Sequence, residues 1–438
     1  MAEKHSFRFV SLWATKSIAM GMSGVLMMQF TFYASDIVGL DIGIVGVIML
    51  VSRLLDAAFG LIVGFVVDRT NTRLGKGRPF DLFMIPMWVC VVLLFSTPDF
   101  GQTGQIMYIF AFFSLTTVVF QSLLSGGEAA YLGRAVSDDQ GRAKVTSGNG
   151  ILVMIVCTIG SIILPQLMAT WGTQPEGWRM IALVYAIPMC VLGMVRFFTI
   201  KEKPVLSEES SPSNEKIGVK ESVGLIIRNK YIFILAPAAL ICNLALTIST
   251  IITTFYFSHI IGDLRMMSFT GMIGIVTPLI LLLFPVAIRK LGGMNFVRVG
   301  LIFAIVGNLV RLINPTSLPL VIASQFIAMT GLTTFIMTQG YFLLQVIDYG
   351  AQKSGKRTEG LIAAVNGLHS KVGAGLASVI IGGLMGVAGY NAILSEQPDS
   401  AVNMIIALFT WIPAILCALI LVTVHFYDLD KKLSIKSN

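Results

Sequence analysis

Charge is what this sequence lacks. Of its 438 residues only 12% are Asp, Glu, Lys or Arg, against about 25% in a soluble domain. So few ionisable groups cannot clothe a surface that faces water, so the solvent must be lipid. Cysteine is also thin. Cys90, Cys157, Cys190, Cys242 and Cys417 stand singly in apolar runs, with no CxxC or Cys/His spacing. Neither a disulfide framework nor a metal centre is expected. No nucleophile–base pair or phosphate-binding loop appears, so no catalytic residue, cofactor or enzymatic activity is expected. The net charge of +8 does not point to nucleic acid, because the basic residues fall in short loops between apolar runs. No convincing cleavage site follows the first run, which is read as a retained helix.

Apolar residues fill the space that charge leaves: 55% of the chain is hydrophobic and mean hydropathy is +0.83. Runs of about 18–28 residues suit a hydrocarbon core about 30 Å thick. Twelve spans are expected, at 10–34, 41–67, 80–97, 105–133, 146–170, 179–199, 231–258, 267–288, 294–313, 317–347, 358–388 and 401–427. The longest polar stretch, 201–230, is rich in Ser, Pro, Glu and Lys and reads as a solvated linker between two six-helix bundles, 1–200 and 231–438. Basic residues gather on one side: Arg69, Arg73, Lys76 and Arg78 after span two, Arg134, Arg142 and Lys144 after span four, Arg196, Lys201 and Lys203 after span six. The other side has Arg179, Arg265 and Arg311 near it. The positive-inside rule then puts both termini and the linker in the cytoplasm, with the plasma (inner) membrane as location. An all-α polytopic protein of two six-helix halves describes the major facilitator arrangement. Arg73-Leu74-Gly75-Lys76-Gly77 after span two echoes Lys290-Leu291-Gly292-Gly293 after span eight.

The segment 53–80, RLLDAAFGLIVGFVVDRTNTRLGKGRPF, resembles the glycoside–pentoside–hexuronide:cation symporters, the family of the melibiose permease. Arg53 is followed three residues on by Asp56, then by a glycine-spaced helix and a basic loop ending in Gly77-Arg78-Pro79. Ser35-Asp36-Ile37-Val38-Gly39-Leu40, Tyr256 through Asp263, and Val346-Ile347-Asp348-Tyr349-Gly350 agree as well. Arg357, Glu359 and Lys371 continue in register. The cluster Arg53, Asp68, Arg73, Lys76 and Arg78 reads either as a topogenic loop or as a gate whose ion pairs change during transport.

An ionisable residue inside a span is a functional candidate by default. Here these are Lys16, Arg53, Asp56, Glu128, His369 and Lys371. The resemblance implies a coupling-ion site at Asp56, Ser122, Ser125 and Glu128, with departures. Phe59 and Gly60 stand where the family has Asn and a second Asp, and Ser125 replaces an Asp. A sodium cage is therefore expected to be lost and a proton favoured. For the solute the resemblance implies Lys16, Ser17, Asn149, Phe335, Gln345, Asn366 and Lys371. Here too there are departures: Ser17 replaces an Asp, Gly150 beside Asn149 an Arg, Ile336 beside Phe335 a Trp, and Gln345 an acid. Counting Lys16, Arg53 and Lys371 against Asp56 and Glu128 makes the cavity neutral to basic, which suits an anionic or weakly charged solute. Glu128 reads as a proton carrier or as a partner of Arg134 or Arg142. His369 reads as a helix contact or as a proton relay.

The expected function is symport of a small glycoside, hexuronide or related solute by a membrane-embedded monomer. The alternative is an uncoupled facilitator or exporter of an amphipathic solute.

Overall fold

Local chemistry starts and stops the helices. Ser6 caps α1 (Phe7–Met27) by accepting from the Phe9 N–H, and Asp41 caps α2 (Ile42–Arg69) by accepting from Gly43 and Ile44. Such side chains satisfy N–H groups that a helix start leaves orphaned. A short 3-10 turn, Arg78–Phe83, leads into α3 (Met84–Leu94). Next come α4 (Gly101–Ala135), α5 (Asp139–Trp171, capped by Asp138) and α6 (Pro175–Thr199, with proline in its first turn). Beyond the linker lie α7 (Ile232–Ile261), α8 (Gly293–Val310), α9 (Leu318–Ser354) and α10 (Glu359–Val387). The last helix, α11 (Asp399–His425), is broken at Thr410.

This computed structural model describes residues 6–136, 138–202, 229–274, 286, 290–354, 359–392, 394 and 396–429. Among them every regular element is helical, and 10 helices are long and apolar enough to cross a membrane. Of the twelve expected spans, 80–97 holds only the 11-residue α3, and 267–288 falls mostly outside the described residues. The expected span 146–170 begins earlier, at Asp139.

The chain forms two compact units. One holds Met1–Glu208 with Gly262–Gly274 and Tyr390–Gln397; the other holds Glu209–Ile261, Ile275–Gly389 and Pro398–Asn438. In the second, Ala238, Cys242, Val297, Leu301, Phe335 and Cys417 belong to one buried apolar cluster. There α8 and α9 meet backbone to backbone. A methyl added at Gly331 would lie 2.2 Å from the Gly300 carbonyl oxygen, the small-residue contact by which helices approach closely in lipid. The first unit has smaller clusters around Trp13, Tyr131 and Val145, and around Val63, Val67 and Phe80.

An internal repeat becomes visible in the backbone. Tyr33–Ile37 and Phe257–Ile261 are both π-helical turns. Each is followed by a glycine with positive φ, Gly39 at 81° and Gly262 at 77°, where an L side chain would be strained. The sequences Tyr33-Ala34-Ser35-Asp36-Ile37-Val38-Gly39 and Tyr256-Phe257-Ser258-His259-Ile260-Ile261-Gly262 carry that shared shape.

Candidate functional site

In the first unit α1 and α4 face each other turn for turn. Lys16, Met20 and Ser23 recur at helical spacing on α1; Glu128, Ser125 and Gln121 recur in the reverse direction on α4. The Lys16 Nζ donates to Glu128 Oε2 at 2.8 Å and to the Leu124 carbonyl at 2.9 Å. One turn on, the Ser125 Oγ donates to the Gln121 carbonyl at 2.7 Å and lies 3.9 Å from the Met20 sulfur. A further turn on, the Gln121 Nε2 donates to Ser23 Oγ at 3.3 Å.

The lowest rung belongs to a buried ion quartet. Arg196 on α6 donates from Nη1 to both oxygens of Glu128, at 2.8 and 2.9 Å. It also donates through Nε to Asp81 Oδ2 at 2.9 Å and through Nη2 to the other Asp81 oxygen. The guanidinium lies over the Trp13 and Tyr131 rings, 4.7 and 4.8 Å from their centroids. Side-chain exposure is 3% for Lys16, 1% for Arg196 and Asp81 and 28% for Glu128. Two cations meet two carboxylates, so the quartet is neutral and fills the fork geometry that suits arginine. This corrects three expectations. Lys16 is a partner of Glu128 and adds no net charge to a solute site. Glu128, read as a proton carrier or as a partner of Arg134 or Arg142, pairs with Lys16 and Arg196. Arg196 is a buried hub, where a loop charge was expected. Sequence reasoning missed Asp81 and Arg196, although both fall inside the expected spans 80–97 and 179–199. Treating every charge within a span as a candidate would have found them.

Asp56 is buried on α2 and accepts a 2.7 Å hydrogen bond from Ser122 Oγ of α4. Arg53 lies three residues back on the same helix. The Ser52 and Ser114 hydroxyls, 2.9 Å apart, join the same two helices one turn away. Ser125 contributes no bond to Asp56, because its hydroxyl is committed to its own helix. Of the expected coupling residues, Asp56 and Ser122 meet, whereas Glu128 belongs to the quartet.

The expected solute residues divide. Ser17 is half-buried on α1. Asn149, also half-buried, has an Oδ1 atom shielded from solvent with no hydrogen-bond partner among the described residues. Phe335, at 1% exposure, packs in the apolar cluster of the second unit and is a core residue there. Gln345 donates to the Tyr341 hydroxyl at 2.8 Å and accepts from the Tyr427 hydroxyl at 3.0 Å, which occupies both ends of its amide. Lys371 and His369 are half-buried on α10, beside Ser370, which donates to Asn243 at 3.1 Å. The Asn366 side chain lies outside the described residues.

At the gating cluster, Arg73 is exposed and Lys76 half-buried; the Asp68 side chain lies outside the described residues. The Arg78 Nε donates to the Phe197 carbonyl at 2.9 Å, and its guanidinium lies over the Phe197 ring. Glu202, which sequence reasoning missed, accepts from the Gly77 and Arg78 N–H groups at 2.9 and 3.4 Å. Among the described residues no group of three or more His, Cys, Asp or Glu is placed to hold a metal ion.

The described residues form a helical bundle with ten helices long and apolar enough to cross a membrane and with polar side chains paired in its seams. Solved structures agree on the fold. A bacterial homologue of the human lysosomal transporter Spinster, in its inward-facing conformation, superposes with a TM-score of 0.72 at 13% identity, covering 97% of this chain and 98% of that one. The nucleoside transporter NupG gives 0.64 at 13%, covering 94% and 98%. A family model described as MFS/sugar transport protein matches residues 14–431. The chain therefore belongs to the sugar-transporting major facilitators, within the glycoside–pentoside–hexuronide:cation symporter family. Among its relatives are the isoprimeverose transporter of Lactiplantibacillus pentosus, 27% identical over 91% of this chain and 84% of that protein, and the putative glycoside/cation symporter YagG of Escherichia coli, 26% identical over 92% and 87%. It is a multi-pass membrane protein and a sugar-related symporter, not an enzyme.

Proposed function

We propose that the protein carries a neutral, glycoside-like solute together with a proton, and that Asp56 holds the proton. The observation that supports this is the Asp56–Ser122 pair, a buried carboxylate that accepts from a hydroxyl at 2.7 Å. A hard cation needs several oxygen ligands, and Phe59 and Gly60 supply none from their side chains. A proton needs only the carboxylate. The neutral solute is read from the α1–α4 seam, which presents hydroxyl, amide and thioether groups next to the Lys16–Glu128 pair. Its relative in L. pentosus is named for isoprimeverose, a solute of that neutral kind.

Proteoliposomes loaded for isoprimeverose uptake test the reading. An inward proton gradient should drive accumulation. Exchanging sodium for a large inert cation at fixed pH should change the rate by less than about threefold. Asp56→Asn should spare exchange and abolish uphill uptake, because exchange need not release the proton. Steep, saturable sodium activation would replace the proton with sodium in this account. Preference for methyl β-D-glucuronide over isoprimeverose would restore the anionic solute and direct attention to Lys371.

A further inference from the structure

In the second unit the seam between α8 and α9 holds a buried polar group of its own. The two helices run antiparallel, and their close contact fixes the register. A Cβ built at Gly307 lies 2.5 Å from the Ala328 nitrogen and 2.9 Å from the Ser324 carbonyl oxygen, and one at Gly300 lies 2.9 Å from the Gly331 carbonyl oxygen. Gly307 therefore stands level with the turn between Ser324 and Ala328. Asn308 comes one residue after Gly307, and Gln325 one residue after Ser324. Each step turns its helix by about 100°, and because the helices run in opposite directions both steps lead to the same flank of the seam. Arg311, which ends α8, is three residues from Asn308 and so lies on that side as well. Long helical side chains lean back toward the N-terminus, which carries the Arg311 guanidinium toward Asn308.

All three side chains are buried, and each has a polar atom left over. Arg311 donates through Nε to Ser324 and through Nη1 to the Phe409 carbonyl, but its Nη2 is shielded and has no partner among the described residues. Asn308 spends its Nδ2 on the Ala304 carbonyl at 2.8 Å, and its Oδ1 is shielded and unpartnered among them. The Gln325 Oε1 is in the same condition. Buried polar atoms without a partner are rare in folded chains, and here one donor group and two acceptors share one flank of one seam. No carboxylate among the described residues lies within ion-pair distance of Arg311. The Gln325 Nε2 makes no hydrogen bond among the described residues, yet it is not among the shielded atoms. A body the size of water therefore has room beside that amide.

We propose that this pocket binds a structural water molecule, which accepts from Arg311 Nη2 and donates to Asn308 Oδ1 and Gln325 Oε1. Three hydrogen bonds are the usual complement of a buried water, and the donor and acceptors match it in kind. A small anion fits less well, because two carbonyl oxygens would face it. The water gives the cation part of a hydration shell where lipid supplies none. Through Arg311 it also joins α8 and α9 to the break in α11.

The sign of one stability change tests the site. Methionine has nearly the shape of glutamine and no amide. If Oε1 holds a water, Gln325→Met in the purified full-length protein removes that acceptor and should lower the thermal midpoint by about 2–4 °C. In a dry pocket the same substitution deletes an unsatisfied buried oxygen, and an unchanged or raised midpoint would overturn the proposal. A second measurement uses the unaltered protein and so does not depend on how the variant folds. A cryo-EM map that resolves ordered water elsewhere in the chain should show a peak at about 2.7–3.2 Å from all three atoms. Absence of that peak overturns the site whatever the melting result. Exchange of chloride for gluconate separates water from an anion. The midpoint should be the same in both salts, and a chloride-dependent rise that Arg311→Met abolishes would put an anion in the place of the water.

Discussion

At the scale of single residues, Glu128 is the carboxylate that joins two cations in the first unit. It accepts from Lys16 and twice from Arg196, while Arg196 also forks onto Asp81. Removing one member of a buried pair strands a charge, at a cost of about 3–5 kcal/mol, whereas removing both partners together costs far less. Glu128→Gln should therefore lower the thermal midpoint in detergent by several degrees, or abolish a monodisperse peak. Adding Lys16→Met to it should recover most of that loss, because Arg196 and Asp81 remain a balanced pair. Fluorescence-monitored unfolding of the two variants decides it; a double variant no better than the single would mean that Lys16 carries no share of the neutralisation. The ingredients were legible: Lys16 and Glu128 stood out as charges within spans. Their pairing was not, because 112 residues separate them and no local spacing records which helices are neighbours. Asp81 and Arg196 lie close to span ends, where a charge in sequence looks like topology. For Phe335, the family register placed an aromatic near a solute, while burial against Leu332 and Leu301 made it core.

At the scale of elements, the break in α11 has a chemical cause that spans the second unit. Pro413 has no N–H, so the Phe409 carbonyl four residues earlier loses its helical donor. Arg311, fully buried, supplies one through Nη1 and lies 4.2 Å from the Phe409 ring centroid. The cation thus caps the carbonyl end of the helix Asp399–Phe409, the end toward which the helix dipole is negative. Its Nε donates to Ser324 at 3.1 Å and so ties α9 to the break. Arg311→Met should cost about 1.5–3 kcal/mol, the range for a charge-assisted hydrogen bond. Pro413→Ala should reduce that penalty, since an alanine there brings its own N–H to the carbonyl. Melting curves for the two single variants and the pair form a double-mutant cycle, and strict additivity would show that the two residues do not share this carbonyl. Pro413 lay unremarked within the expected span 401–427, and Arg311 was noticed only as a sparse charge. The π-helical turns at 33–37, 115–120 and 257–261 gave no signal, because one additional residue in a uniformly apolar run does not disturb any periodicity.

At the scale of the whole molecule, apolar run lengths and scarcity of charge were enough to read an all-helical membrane protein, and one 28-residue segment with its companions was enough for the family. The orientation makes a prediction of its own. Arg69, Arg73, Lys76, Arg78, Arg134, Arg142, Lys144 and Lys201 follow spans two, four and six, whereas the ends that follow spans one, three and five are almost free of cations. Lysine and arginine beside a span resist translocation, so the richer side stays in the cytoplasm. The structure supplies two exposed reporters: Lys201, two residues after α6, and Asn391, four residues after α10. In intact cells an impermeant maleimide should label Asn391→Cys at once. It should label Lys201→Cys only after the membrane is permeabilised. Cys157 and Cys190 are changed to serine beforehand, since Cys90, Cys242 and Cys417 are buried. Neither reporter belongs to the quartet or to the Asp56–Ser122 pair, so transport by both variants can certify that the labelled protein is folded. The reverse pattern, with Lys201→Cys labelled in sealed cells and Asn391→Cys protected, would invert the molecule and place the basic loops outside.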